Sequence, residues 1–170
     1  MEKDIALLME TELFRDLTPE EIRDVLKIAR HVEFEAEDII MSEGDFGDTL
    51  YVILEGTVEV VKSLTMIELD DDRGIEKNKV FTRLNASQHA VFGEIALLED
   101  MKRTATIKAV TDCIFYEIKK DDFLRLARED CKLGYQILLN LARIVSARLR
   151  KADEDTIKLT TALSIILKES

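Results

Sequence analysis

Arg103 stands among Thr104, Ala105, Thr106 and Ile107, nine residues after Glu94, in the stretch VFGEIALLEDMKRTATIKA that covers residues 91–109. A guanidinium stays charged at any ordinary pH, so an arginine in so bland a setting needs an anionic partner. Just upstream, FGEIALL reads as a turn that opens a short helix. Gly93 permits close backbone approach, Ala96 is small, and the first N–H groups of a helix are orphan donors that favour an anion. The guanidinium fork of Arg103 suits phosphate geometry. Glu94 would repel a phosphate but accepts from a hydroxyl. Together the three features describe a cyclic sugar phosphate better than a free phosphate. The alternative is a purely structural ion pair of Arg103 with Glu99 or Asp100.

Other chemistries lack their parts. His31 and His89 are the only histidines, 58 residues apart and in no metal-ligand spacing. A metal-binding cupin would need a histidine cluster, which this chain does not have. There is no Walker-type phosphate loop, nucleophile elbow or glycine-rich dinucleotide fingerprint, so the reading is a binding module and not an enzyme. The acids of LDDDRGIEKN do not fall at EF-hand spacing and read as a solvated hairpin tip. Cys113 and Cys131 match no CxxC pattern and read as packing residues.

Several elements must position the Glu94–Arg103 stretch. LTPEEIRDVLKIA is a helix with Thr18 as N-cap, Pro19 at the first helical position and Glu21 at capping-box spacing. From His31 the period changes: HVEFEAEDIIM alternates, SEGDFGD turns, and TLYVILEGTVEVVKS gives two strands around Glu55-Gly56. KVFTRL and CIFYEI add further strands, and KKDDFLRLARED is a short helix opening at Asp121 or Asp122. The fold class is mainly β with flanking helices. It is an antiparallel β-roll, jelly-roll-like, with N-terminal helices, a short helix after Gly93 and a long C-terminal helix. The expected division is residues 1–133 for the N-terminal helices and roll, and 134–170 for the long helix.

From Tyr135 onward there is neither Gly nor Pro. Leu138, Ala142, Val145, Leu149, Ala152, Thr156, Leu159, Leu163 and Ile166 fall alternately four and three apart, a heptad seam. A helix of about 30 residues is roughly 45 Å long, more than one small domain covers, so the expected partner is the same helix in a second copy. The alternative is a helix folded back on its own domain. Arg143, Arg148, Arg150 and Lys151 read as a solvated basic face. The formal net charge of −11 argues against nucleic acid and anionic membranes as partners. No apolar run approaches a membrane span and the first residues lack a signal-peptide pattern, so the expected location is cytoplasmic.

The stretch from Phe92 to Thr106 resembles the phosphate-binding cassette of cyclic-nucleotide-binding domains. These occur in catabolite-activator-type regulators, cyclic-nucleotide-dependent kinases and gated channels. The family pattern is matched by Phe92, Gly93, Glu94, Ile95, Ala96 and Leu97, then by Arg103, Thr104, Ala105 and Thr106. LTPEEI and EGDFGDTLYVILEGTVEV, with Gly44, Gly47 and Gly56, extend the likeness over residues 12–150. Lys102 stands where kinases often have Pro, and NASQHAV replaces a shorter glycine-containing turn.

The resemblance implies that Arg103 pairs with the exocyclic phosphate, aided by the backbone N–H groups of Ala96, Leu97 and Ala105. It also implies that Glu94 accepts the ribose 2′-hydroxyl, that Gly93 shapes the turn, and that Thr104 lies near base and phosphate. Regulators place base-contacting hydroxyls where this chain has Ala152-Asp153, so Asp153 is expected to accept protons from the base edge. The ligand is then cyclic AMP or cyclic GMP, with no other cofactor. TIKLTTALSIILKES does not resemble the winged-helix domain of the regulators, so the expectation is a stand-alone homodimeric sensor whose C-terminal helix signals to an unidentified protein. The competing expectation is a degenerate roll that serves as a dimeric scaffold and binds no nucleotide.

Overall fold

The computed structural model describes residues 2–66, 75–86 and 90–169. His89 and the acidic stretch 69–74 lie outside them. The chain begins with helix α1 (Glu2–Met9) and a 3-10 turn at Glu12–Phe14. Helix α2 (Pro19–Ile28) follows, and its capping box is complete. Thr18 Oγ1 accepts from the Glu21 N–H at 3.2 Å, and the Glu21 carboxylate accepts from the Thr18 N–H at 2.7 Å.

Eight strands come next among the described residues: β1 (Ala29–Phe34), β2 (Ile39–Met41), β3 (Thr49–Glu55), β4 (Thr57–Met66), β5 (Ile75–Asn85), β6 (Val91–Phe92), β7 (Thr106–Ala109) and β8 (Cys113–Lys119). They form two antiparallel four-stranded sheets, ordered β1-β8-β3-β6 and β2-β7-β4-β5. This is the β-roll expected from the strand spacing. HVEFEAEDIIM is divided between the sheets: β1 pairs with β8, β2 pairs with β7, and the chain turns at Glu37, where φ is +76°.

The near-continuous apolar character of β3 has a physical cause, because both of its faces are buried. Leu50 and Val52 point to one core, shared with Leu13, Phe14, Ile22, Phe123, Leu133 and Ile137 of the helices. Tyr51 and Ile53 point to a second core between the sheets, with Val58, Phe92, Ile107, Cys113 and Phe115. The same alternation divides β6, with Val91 on the helix side and Phe92 on the roll side. One-residue steps along a strand thus choose between two cores.

After β6 comes the one-turn helix α3 (Ile95–Leu98), and after β8 come α4 (Lys120–Glu129) and α5 (Cys131–Glu169). Helix α5 is 39 residues long and starts before Tyr135, passing through Gly134. A Cβ at Gly134 would lie 2.6 Å from the Ala127 Cβ, so here glycine allows α4 and α5 to pack closely. Asp130 caps the helix by accepting from the N–H groups of Lys132 and Leu133, each at 3.0 Å. The early part of α5 buries Leu133, Ile137, Asn140, Leu141 and Ile144 against the domain. From Ser146 to Lys168 every residue is exposed. The folded-back alternative therefore holds for the first half alone, on a different face from the heptad seam. Cys113 is buried as expected, but Cys131 is exposed at the start of α5.

Candidate functional site

The chain leaves β6 through Gly93 at φ +76° and enters α3. A Cβ at Gly93 would lie 2.7 Å from the Thr49 carbonyl and 2.9 Å from Arg103 Nη1. Both the left-handed backbone and the close approach therefore require glycine. The N–H groups of Ala96 and Leu97, expected as orphan donors, instead close the turn onto the carbonyls of Gly93 (3.1 Å) and Glu94 (3.2 Å). A helix of one turn tightens by such bonds and has few donors left over.

Arg103 is 9% exposed. Its backbone N–H donates to the Asp45 carbonyl at 2.7 Å, and its own carbonyl accepts from Gly44 at 2.9 Å. These two bonds lash it to the turn before β3. Nη1 donates to the Thr49 carbonyl at 2.8 Å and Nη2 to Thr49 Oγ1 at 2.7 Å. Among the described residues the guanidinium has no ion pair, and the structural alternative is not what is found: Asp100 pairs with Lys120 at 2.7 Å. A buried cation held by neutral oxygens keeps most of its unmet demand for an anion.

Glu94 is the other buried charge among the described residues, with its side chain 7% exposed. Its carboxylate pairs with Arg148 at 2.6 Å, and Arg148 also donates to the Val91 carbonyl. Arg148 belongs to α5, so the long helix is fastened to the turn at the residue suited to a hydroxyl. The basic run containing Arg148 is therefore more than a solvated face.

These groups line a cavity of about 550 Å³. Met41, Val60, Leu84 and Ile107 of the second sheet form an apolar wall, with Thr82 beside them. Phe92, Gly93, Glu94, Ile95, Ala96, Arg103, Thr104 and Ala105 form the charged end. The outer wall is one face of α5: Arg148, Lys151, Ala152, Asp155, Thr156 and Leu159. Of the expected site residues, Leu97 instead packs in the helix-side core. Asp153 is exposed and is not in the lining. Successive helical residues are about 100° apart, so a face that presents Ala152, Asp155 and Thr156 turns Asp153 away. The sequence reading missed Thr49 and, in the lining, Thr82, Arg148, Lys151, Asp155 and Thr156. Arg148 was legible as one helical turn before Ala152, whereas the role of Thr49 depends on how β3 lies beside Arg103.

A buried cation, a buried carboxylate a short distance along the chain, and an apolar chamber beyond them suit a ligand with three parts: an anion, a hydroxyl and a flat apolar ring. The family model of the cyclic nucleotide-binding domain matches residues 31–130. The chain is 32% identical over 121 residues to a cAMP-dependent protein kinase regulatory subunit of Blastocladiella emersonii, covering 71% of this chain and 27% of that protein. It is 29% identical over 118 residues to a cGMP-dependent protein kinase of Drosophila melanogaster, covering 69% of this chain and 9% of that one. The chain thus spans only a minor part of these curated relatives. The crystal structure of the Thermus thermophilus catabolite activator protein superposes with a TM-score of 0.72 at 27% identity, covering 88% of this chain and 63% of that one.

Proposed function

Because the chain belongs to the cyclic nucleotide-binding domain family, we propose that it is a sensor that takes a cyclic purine nucleotide into the cavity between roll and α5. The observation that carries this reading is Arg103: buried, without a carboxylate partner among the described residues, and facing the cavity. The phosphate lies on its guanidinium, with the backbone of Ala105 beside it. The ribose 2′-hydroxyl donates to Glu94. The base lies against the apolar wall under α5.

At the base end α5 offers acceptors. Thr156 Oγ1 donates its proton to the Ala152 carbonyl at 2.8 Å, which leaves lone pairs for a ligand. Asp155 adds a carboxylate, which accepts only. The 6-amine of adenine suits this pair, and cyclic AMP is the first reading, in line with the cAMP-dependent kinase relative. The second reading is cyclic GMP, whose neighbouring N1–H and amino donors match the two oxygens of Asp155. The signal leaves through Arg148, because a ligand that claims Glu94 changes what holds α5. The heptad seam supports a homodimer: Leu138, Leu149, Leu159, Leu163 and Ile166 are 39–71% exposed, and a second copy of the helix would cover them.

Thermal melting with each nucleotide tests the proposal. A ligand at a hundred times its Kd that binds only the folded state adds about 2.7 kcal/mol, or roughly 5–10 °C for a chain of this size. Cyclic AMP is expected to give the larger shift. Arg103→Ala is expected to abolish it by costing about 2–5 kcal/mol of affinity. No shift with either nucleotide at millimolar concentration would leave the scaffold reading in its place.

A further inference from the structure

The last turns of α5 carry more apolar surface than a two-stranded seam can bury. In the heptad register of the seam, Leu163 occupies position a, and Leu159 and Ile166 occupy d. Ala162 then falls at g, Leu167 at e and Ile165 at c. Leu159 is 71% exposed, Leu163 57%, Ile165 53%, Ile166 60% and Leu167 67%. That is on the order of 500 Å² of contiguous apolar surface, near the top of what a monomer leaves uncovered. The apolar arc runs from c through g, d and a to e, roughly 200° of the helix, whereas an a/d seam is much narrower.

One turn and more earlier the pattern differs. Arg148 and Asp155 occupy g, and Ser146 and Asp153 occupy e, the polar flanks of a two-stranded contact. At the tip Thr160 at e stays polar, but Ala162 at g and Leu167 at e are apolar, and Leu163 at a with Ile166 at d shifts preference from two strands to three or four. Closed symmetry makes four the number that two dimers reach.

We propose that the tip of α5, about residues 159–167, joins two dimers of this chain into a tetramer through a four-helix bundle. The occupant of the apolar tip is thus three further copies of the same helix. This rests on the homodimer reading above and extends it. The e and g residues buried in a four-stranded bundle are the ones a dimer would leave wet.

Sedimentation velocity or light scattering on the whole chain reads this directly. The expected mass is four times the 19.5 kDa of the chain. Ile165→Lys combined with Leu167→Lys leaves positions a and d intact and is expected to halve that mass, with the melting midpoint and nucleotide binding of the domain unchanged. A wild-type dimer overturns the bundle and leaves the homodimer standing. A wild-type monomer overturns both. A tetramer that the double variant does not split overturns the assignment to the tip.

Discussion

Gly47 lies under the plane of Arg103. A Cβ there would sit 2.2 Å from Nε and 2.5 Å from Cζ, closer than any real contact. The guanidinium is thus held between two glycines, 47 and 93, with Thr49 fixing both terminal nitrogens. Gly47→Ala must therefore displace the arginine. We expect affinity for the cyclic nucleotide to fall about tenfold to a hundredfold, with about 1–3 kcal/mol of lost stability from overpacking. Calorimetric titration beside a urea melt separates the two effects. Unchanged affinity would mean that the position of Arg103 is irrelevant to binding. At this scale the sequence was informative where the chemistry is contiguous, because Gly93, Glu94 and Arg103 are brought together by one turn. It named Gly47 only within a family likeness and was silent on Thr49, and the roles of both exist only once β3 lies beside that turn.

Elements are fixed here by a few polar ties. Asn140, 1% exposed on α5, donates through Nδ2 to the carbonyls of Leu13 (3.0 Å) and Arg15 (2.7 Å), joining the 3-10 turn to the long helix. Helix α2 is tied at its start by the Thr18–Glu21 box, and Lys132 of α5 reaches the same Glu21 at 3.0 Å. The Thr18 N–H, then Lys132, hold the Glu21 carboxyl below its ordinary value of 4.5. A depressed carboxyl stabilises the fold above that ordinary value, and its contribution is lost as pH falls through the depressed one. Glu21→Gln is expected to cost about 0.3–1 kcal/mol at pH 7 and less at pH 3, where the wild-type carboxylate has already lost part of its contribution. Urea midpoints at the two pH values check this; an equal loss at both would mean that Glu21 adds nothing through its charge. The capping box was legible because its spacing is local. The start of α5 was not, since Gly134 reads as a helix breaker until α4 is seen packed against it.

At the scale of the molecule, one ion pair spans the distance from the charged turn to the exposed half of α5. The seam spacing was visible in the sequence, yet it could not show that Ala152, Thr156 and Leu159 also face the cavity. The same helix residues thus serve the pocket and the apolar stripe, and the two uses become coupled. Arg148 provides the physical link, since its partner Glu94 is the carboxylate that a ribose hydroxyl would also claim. In Arg148→Gln the amide keeps a donor near Glu94 but loses the charge. The variant should still bind cyclic nucleotide, within about tenfold, through Arg103. What should disappear is the effect of ligand on α5. In the wild type, hydrogen exchange across residues 146–168 is expected to change about 5-fold or more on binding, the low end of ordinary coupling between sites. In the variant that change should fall to less than twofold while the roll remains protected by ligand. If α5 responds equally in both proteins, the signal reaches the helix through the base contacts at Asp155 and Thr156 and not through Arg148.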